Sequence, residues 1–423
     1  MIIYQKGSIL GLSHDFWTHL QGSALPRASL SSIMSVGLYF LFQWVLTDQK
    51  EDRYEEIIHP YAVGFLASVT CFAVIFRSQS AIARYYEAAR ETHSMQSKLA
   101  DATSMAVTFS TAAVCGSEDE DGPSESVPQA EQPRKTGRHA TIMVKSERRR
   151  EHEAFCARII HNVSLFTATA YLLLRYDEEP NYRSHEAGLI PPAREPLGHS
   201  EFRPHWNENF PRFFFNTFMF QYATAQNRQN YYASAKFPVI GEITERELEL
   251  LARAVGPLAK AHLIMHWVTE LITEYHLQGG FGEVHPPIVS RLYQEISNSM
   301  LGFSQAKRIA HIPFPFIYAQ LTELLVVLLV VAIPLLMNGF VDNTVIGVIF
   351  TFLSCLGFCS LYEATRELED PFLFEPNDLN MLTWQGEFNE MLILLTNYAT
   401  GKTDFQQDKE KTVLSRKTVA ARE

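Results

Sequence analysis

Two groups of side chains in this 423-residue chain have the types and spacing to do chemistry. His262, His266 and Glu270 recur every fourth residue in HLIMHWVTE, and His276 follows. A helix would stack the first three on one face. Histidines at i and i+4, with a carboxylate one turn on, can share a metal ion, and a membrane-anchored metal-dependent enzyme is the function such a set would carry. The residues between the histidines are Leu, Ile and Met, so no general base sits beside the ligands as in HExxH. The same spacing also suits histidines hydrogen-bonded inside a helical bundle.

The second group is RELEDPFLFEPNDLN, residues 366–380. Glu367, Glu369, Asp370, Glu375 and Asp378 place five carboxylates within a dozen residues, and Pro371 and Pro376 impose a turn. Oxygen-rich turns hold calcium, which takes about 6–8 oxygen ligands. A solvated acidic turn, with Asn377 or Asp378 capping a helix that runs to about Leu395, accounts for the same residues. No phosphate loop, dinucleotide fingerprint or nucleophile elbow occurs; QGGFGE at 278–283 lacks the preceding strand that a phosphate loop needs.

The elements that must position these groups are apolar helices. Mean hydropathy is −0.07, but it averages charged stretches with very apolar runs. Four runs approach the roughly 20 helical residues that cross a bilayer. They lie at about Leu30–Leu46, Tyr61–Phe76, Pro315–Met337 and Thr344–Leu361. The second begins at Pro60, is uncharged to Phe76, and continues without a helix breaker into SQSAIARYYEAAR. Phe65, Ser68, Phe72 and Phe76 fall on one stripe at spacings of three and four. Such a stripe packs on neighbouring helices or lipid, or lines a passage.

Basic residues orient the spans. Arg27 precedes the first, Arg77, Arg84 and Arg90 follow the second, Lys307 and Arg308 precede the third, and Arg366 follows the fourth. Both termini and the long region after Arg77 are therefore expected on one, cytosol-like, side. The net charge of −11 argues against nucleic acid as a partner. The five cysteines form no CxxC, so neither a zinc ribbon nor a disulfide framework is indicated. No cleavable signal peptide is visible at MIIYQKGSIL.

The expected organisation runs as follows. An N-terminal segment (1–29) leads into two spans (30–90) and a cytosolic helix (91–114). An insertion at 115–150, acidic then basic and rich in Ser, Pro and Gly, is expected to be disordered. A cytosolic helical region (151–310), with helices at 151–176 and 243–278, precedes the last two spans (311–365). The acidic turn and a helix (366–400) and a polar, disordered tail (401–423) complete the chain. The aromatic block at 211–233 fits either the bundle or the headgroup interface. The fold class is all-α, a multi-span membrane protein with a helical bundle below the spans.

The run into FRSQSAIARYYEAAR resembles the FR-x6-R-x2-E-x2-R segment of the bestrophin anion channels, above all their bacterial and chloroplast branch. Three further stretches agree in order: Gly22, Ser23 and Arg27 before the first span, RIAHIPFPFIYAQL at 308–321, and ELEDPFLFEPNDLN after the fourth. The resemblance covers most of the chain outside 115–150 and the tail. It implies a homopentamer around one axial pore, with the second span forming a hydrophobic neck and the soluble helices a vestibule. It implies passive flow of chloride, with bicarbonate or nitrate as alternatives, and no catalytic residue or required cofactor. Aligned on Arg77, the neck rings map to Ser68, Phe72 and Phe76, with Phe65 or Val69 as alternative projections; the family commonly has an aliphatic residue at the first ring. Asp370, Glu375 and Asp378 fall on calcium-ligand positions of animal members, and Glu367 on a position offering a carbonyl. Leu373, Phe374 and Pro376 interrupt the acidic run found there. A plasma membrane and a plastid or thylakoid membrane both suit such a protein. A non-conducting structural membrane protein remains the other alternative.

Overall fold

The computed structural model describes residues 23–46, 60–119, 135–175, 182–185, 187, 236–372 and 377–401. Helices dominate them: α1 Ala24–Leu46, α2 Pro60–Asp119, α3 Lys135–Leu174, α4 Glu245–Arg253, α5 Pro257–Leu277, α6 Pro286–His311, α7 Phe316–Phe340, α8 Thr344–Leu368 and α9 Met381–Ala399. Two three-residue strands, β1 Tyr182–Ser184 and β2 Phe237–Val239, pair in parallel, with Tyr182 opposite Phe237 and Ser184 opposite Val239. This ribbon is the one departure from an all-helical chain among the described residues. The aromatic block at 211–233 and the tail from 402 lie outside them.

The chain divides into two compact units. The first takes the residues up to Arg90 and Gln305–Asn380; among its described residues it holds α1, the start of α2, the last turns of α6, α7 and α8. Its helices carry their own start signals. Pro60 opens α2, Pro315 precedes α7, and the Asn343 side chain accepts hydrogen bonds from the amides of Val345 (3.0 Å) and Ile346 (3.4 Å) at the head of α8. Ala28, Ser32, Ser35 and Tyr39 form the buried stripe of α1. The small side chains of Ala28, Ser32 and Ser35 let α7 and α8 approach closely. Ser35 donates to the Val330 carbonyl (2.8 Å), and the Tyr39 ring lies where Gly347 has no side chain. Val74, Val326 and Cys359 close the contact between α2, α7 and α8.

Five helical stretches are apolar and long enough to cross a membrane, one more than the sequence suggested. The extra one, Ser146–Leu174 in α3, has 83% of its apolar window buried within the protein, against 22–28% for the other four. It is the core of the second unit, not a lipid-facing span: its apolar residues already have protein partners. The other four are the expected spans, and the chain is a multi-span helical membrane protein.

The second unit takes Glu91–Pro191, Lys236–Ser304 and the chain from Met381. Helix α3 is buried on all sides from Ile159 to Leu174, save at the half-buried His161. Helices α5 and α9 and strand β2 pack on it. A polar network ties them: Ser164 Oγ donates to Asn389 Oδ1 (2.7 Å), Asn389 Nδ2 to the Pro238 carbonyl (2.9 Å), and Gln385 Nε2 to the Ser164 carbonyl (3.1 Å).

Three sequence boundaries shift. The single helix expected over 243–278 is two, α4 and α5, broken where Gly256 takes φ +86° and Pro257 opens the next helix. Helix α9 starts at Met381, later than a cap at Asn377 or Asp378 would place it. The segment expected to be disordered at 115–150 is helical at both ends: α2 continues to Asp119, and α3 begins at Lys135. The run of Lys, Glu, Arg and Ala before Phe155 consists of strong helix formers that extend the buried helix behind it. Residues 120–134 lie outside the described part.

Candidate functional site

The start of α2 has two faces. Thr70, Val74, Arg77, Ala81 and Ala88 are buried at spacings of three, four and seven. Tyr61, Phe65, Ser68, Phe72, Ile75, Gln79, Ile82 and Tyr86 form an exposed line with a strict alternation of four and three. Phe65 and Phe72 are 73% and 75% exposed, so no described residue of the chain covers this face. Phe76 is half exposed, its ring 6.1 Å from that of Tyr318 on α7. The structure therefore brings Phe65, Ser68, Phe72 and Phe76 to one outward face, with Val69 and Ile75 flanking it. Ile75 escaped sequence reasoning, although its seven-residue spacing from Ser68 was legible.

The chemistry of this face is apolar. The Ser68 hydroxyl donates to the Gly64 carbonyl at 2.8 Å and is used within the helix. No charged side chain stands on it before the helix leaves the apolar run.

The opposite face ends in two arginines. Arg77 is 4% exposed and grips Glu369 in bidentate fashion, Nε to Oε1 at 2.5 Å and Nη2 to Oε2 at 2.9 Å. Its guanidinium also lies 5.5 Å from the ring centre of Phe314 and 5.2 Å from that of Tyr362. Arg84, two turns on, donates to the carbonyls of Ile309 (2.9 Å), Ile312 (2.9 Å) and Glu369 (3.3 Å). Tyr85 donates to the Asn377 carbonyl at 3.0 Å.

The acidic turn is held by these cations. Glu367 Oε2 accepts from Arg27 at 3.2 Å, and Glu367 Oε1 accepts from the Asn377 amide at 2.7 Å. Both carboxylates at the end of α8 are thus desolvated and paired. Removing one partner of such a pair strands the other charge in a low-dielectric site, which is why buried pairs are sensitive to single substitutions. Asp378 is buried in the same turn; Glu375 lies outside the described residues. Of the residues expected to hold calcium, Glu367, Asp370 and Asp378 lie in this turn, where the Glu367 side chain accepts from Arg27 and Asn377. Sequence reasoning missed both ion pairs; the signal available was an arginine at each cytosol-like end of a span, matched by two glutamates at the end of another.

His262, His266 and Glu270 do lie on one face of α5, all exposed. Among the described residues no three His, Cys, Asp or Glu side chains converge as a metal-holding group.

Comparison with known proteins bears on this arrangement. Residues 216–390 match the family model of the bacterial and fungal bestrophin proteins. The fold is similar to that of a bacterial bestrophin homologue from Klebsiella pneumoniae, at 14% identity and TM-score 0.51 over 88% of this chain and 97% of that one. A single-residue variant of that homologue aligns at 16% identity and TM-score 0.51, over 88% and 99% of the two chains. Another structure, described as a membrane protein, aligns at 13% identity and TM-score 0.53, over 88% and 97%. No curated protein matches the chain. Fold and apolar spans define an integral membrane protein of helical, multi-span class. Within that class, the fold is similar to that of a bacterial bestrophin homologue, and residues 216–390 match the bacterial and fungal bestrophin family model.

Proposed function

We propose that this protein is a passive anion channel, a homopentamer in which five copies of α2 surround an axial pore. The observation that carries the proposal is the exposed line from Phe65 to Phe76 on a helix whose other face is buried and ion-paired. Five such lines facing each other would make a narrow, uncharged neck. A constriction of this kind passes ions only when it wets, so it can gate. Phenylalanine rings carry partial positive charge at their edges, and edges turned to the axis would tolerate a dehydrated anion better than a cation. Chloride is the expected permeant ion, with bicarbonate and nitrate as alternatives. The proposal requires no calcium and leaves calcium at the acidic turn as a candidate ligand.

The test is a planar-bilayer recording of purified protein under a chloride gradient. Current reversing near the chloride potential supports the proposal. Silence, or reversal at the cation potential, overturns it.

A further inference from the structure

We infer that Glu369 is a positioning residue: through Arg77 it fixes the rotation of α2 about its own axis, and so decides which residues α2 presents on its outward face. This rests on the proposed neck. On a helix of 3.6 residues per turn, Arg77 and Arg84 lie roughly 120–140° round from Phe72, among the buried residues. Arg77 is held at four points: two hydrogen bonds to Glu369 and two aromatic rings, Phe314 before α7 and Tyr362 on α8. Three of those holds come from α8 and the residue that follows it, and one from the segment that leads into α7. Arg84 then binds the Glu369 backbone and the last carbonyls of α6 with the same guanidinium.

The apolar packing of α2 does not fix rotation to this degree. Around Val74 the contacts are to Ala28, Val326, Cys359 and the partly buried Val330, Leu356 and Tyr362, apolar contacts that carry no direction of their own. The outward line, by contrast, alternates Phe72 with Ala73 and Val69 with Ser68, so a turn of one residue exchanges a ring for a methyl. Directional bonds at one glutamate set the register that dispersion forces leave loose.

The experiment places single cysteines at Phe72 or Ala73, in a background with Cys71 replaced by serine, and measures reaction with a charged, water-soluble thiol reagent in liposomes. In the otherwise native protein the cysteine at 72 should react ~10-fold faster than that at 73; with Glu369→Gln the ratio should fall to ~2-fold, and anion flux should change in step. The exchanged pair, Arg77→Glu with Glu369→Arg, should restore the ratio toward the native value. Size-exclusion chromatography identifies assembled protein, and only assembled protein is compared. An unchanged ratio in assembled Glu369→Gln overturns the inference, as does an exchanged pair that behaves no better than either single change. If the native protein carries no anion current but the ratio still depends on Glu369, the channel reading fails and the positioning role stands.

Discussion

The Ser110 hydroxyl lies 2.5 Å from Nδ1 of His152, and 2.6 Å from the hydroxyl of Tyr275. In the neutral ring, Nδ1 accepts from Ser110 and Nε2–H points to the Ala399 carbonyl at 3.5 Å. The chain of bonds runs through α5, α2, α3 and the end of α9, all in the second unit. Burial, the largest influence, lowers the His152 pKa; the Ala399 carbonyl and Glu153 act the other way, and Arg149 with burial. Tyr275 and the Cys156 thiol, the latter pushed up to about 12 by burial, face the ring uncharged.

A base with a lowered folded-state pKa favours the fold while neutral. Its contribution is fully present above the ordinary histidine value of about 6.5, and is lost as pH falls below that toward the depressed value. Thermal melting of detergent-solubilised protein should therefore show Tm falling between pH 7 and pH 5, and His152→Gln should flatten that fall. Parallel pH profiles for the two proteins would remove His152 from the account.

Gly302 on α6 has no room for a methyl group. A Cβ there would sit 2.9 Å from the Met95 amide nitrogen and 3.1 Å from the Glu91 carbonyl, both main-chain atoms of α2 that no rotamer change can move. Gly302→Ala should cost about 1–3 kcal/mol of stability. Gly357→Ala, where nothing lies within 4 Å, is the control and should melt close to the native protein.

Asn389 and Gln385 hold a strand that cannot hold itself. Pro238, the middle residue of β2, has no amide proton for the ladder, and its carbonyl is bound by both side chains. Asn389→Leu would leave that carbonyl with Gln385 alone at 3.3 Å and strip the Ser164 hydroxyl of its acceptor, at about 1–3 kcal/mol. Hydrogen exchange at the Ile240 amide, which donates to Ser164 at 3.1 Å, should accelerate markedly in the variant.

Phe72→Ala removes the most exposed ring of the proposed neck while touching none of the buried face. Anion flux through reconstituted protein should rise and discrimination among anions should weaken, because the dry constriction becomes wider and wets more readily. Flux and selectivity equal to those of the native protein would exclude Phe72 from the pathway.

The sequence exposed what depends on local pattern. The spans were legible because twenty apolar residues in a row have few other uses, and the Phe65–Phe76 stripe because helical spacing is a local property. The break at Gly256 and Pro257 is equally local, but the apolar periodicity on both sides of it suggests one helix. The ion pairs were hidden for another reason. Arg27 and Glu367 are 340 positions apart, and Arg77 and Glu369 are 292 apart; charge type and span ends hint at such partners, but only the packing of α1, α2 and α8 selects them. The same holds for Ser110, His152 and Tyr275, three ordinary residues whose meeting no spacing announces.

Arg84 has one more consequence. By donating to the Ile309 and Ile312 carbonyls, it brings a fixed positive charge to the negative end of the α6 dipole, where Arg308 and His311 already stand in the last turn. Where α6 stops is thus decided partly by a side chain more than two hundred residues upstream. An insertion or deletion in α6 between Gln305 and His311 would slide those carbonyls out of reach, so this stretch should tolerate changes of residue far better than changes of length.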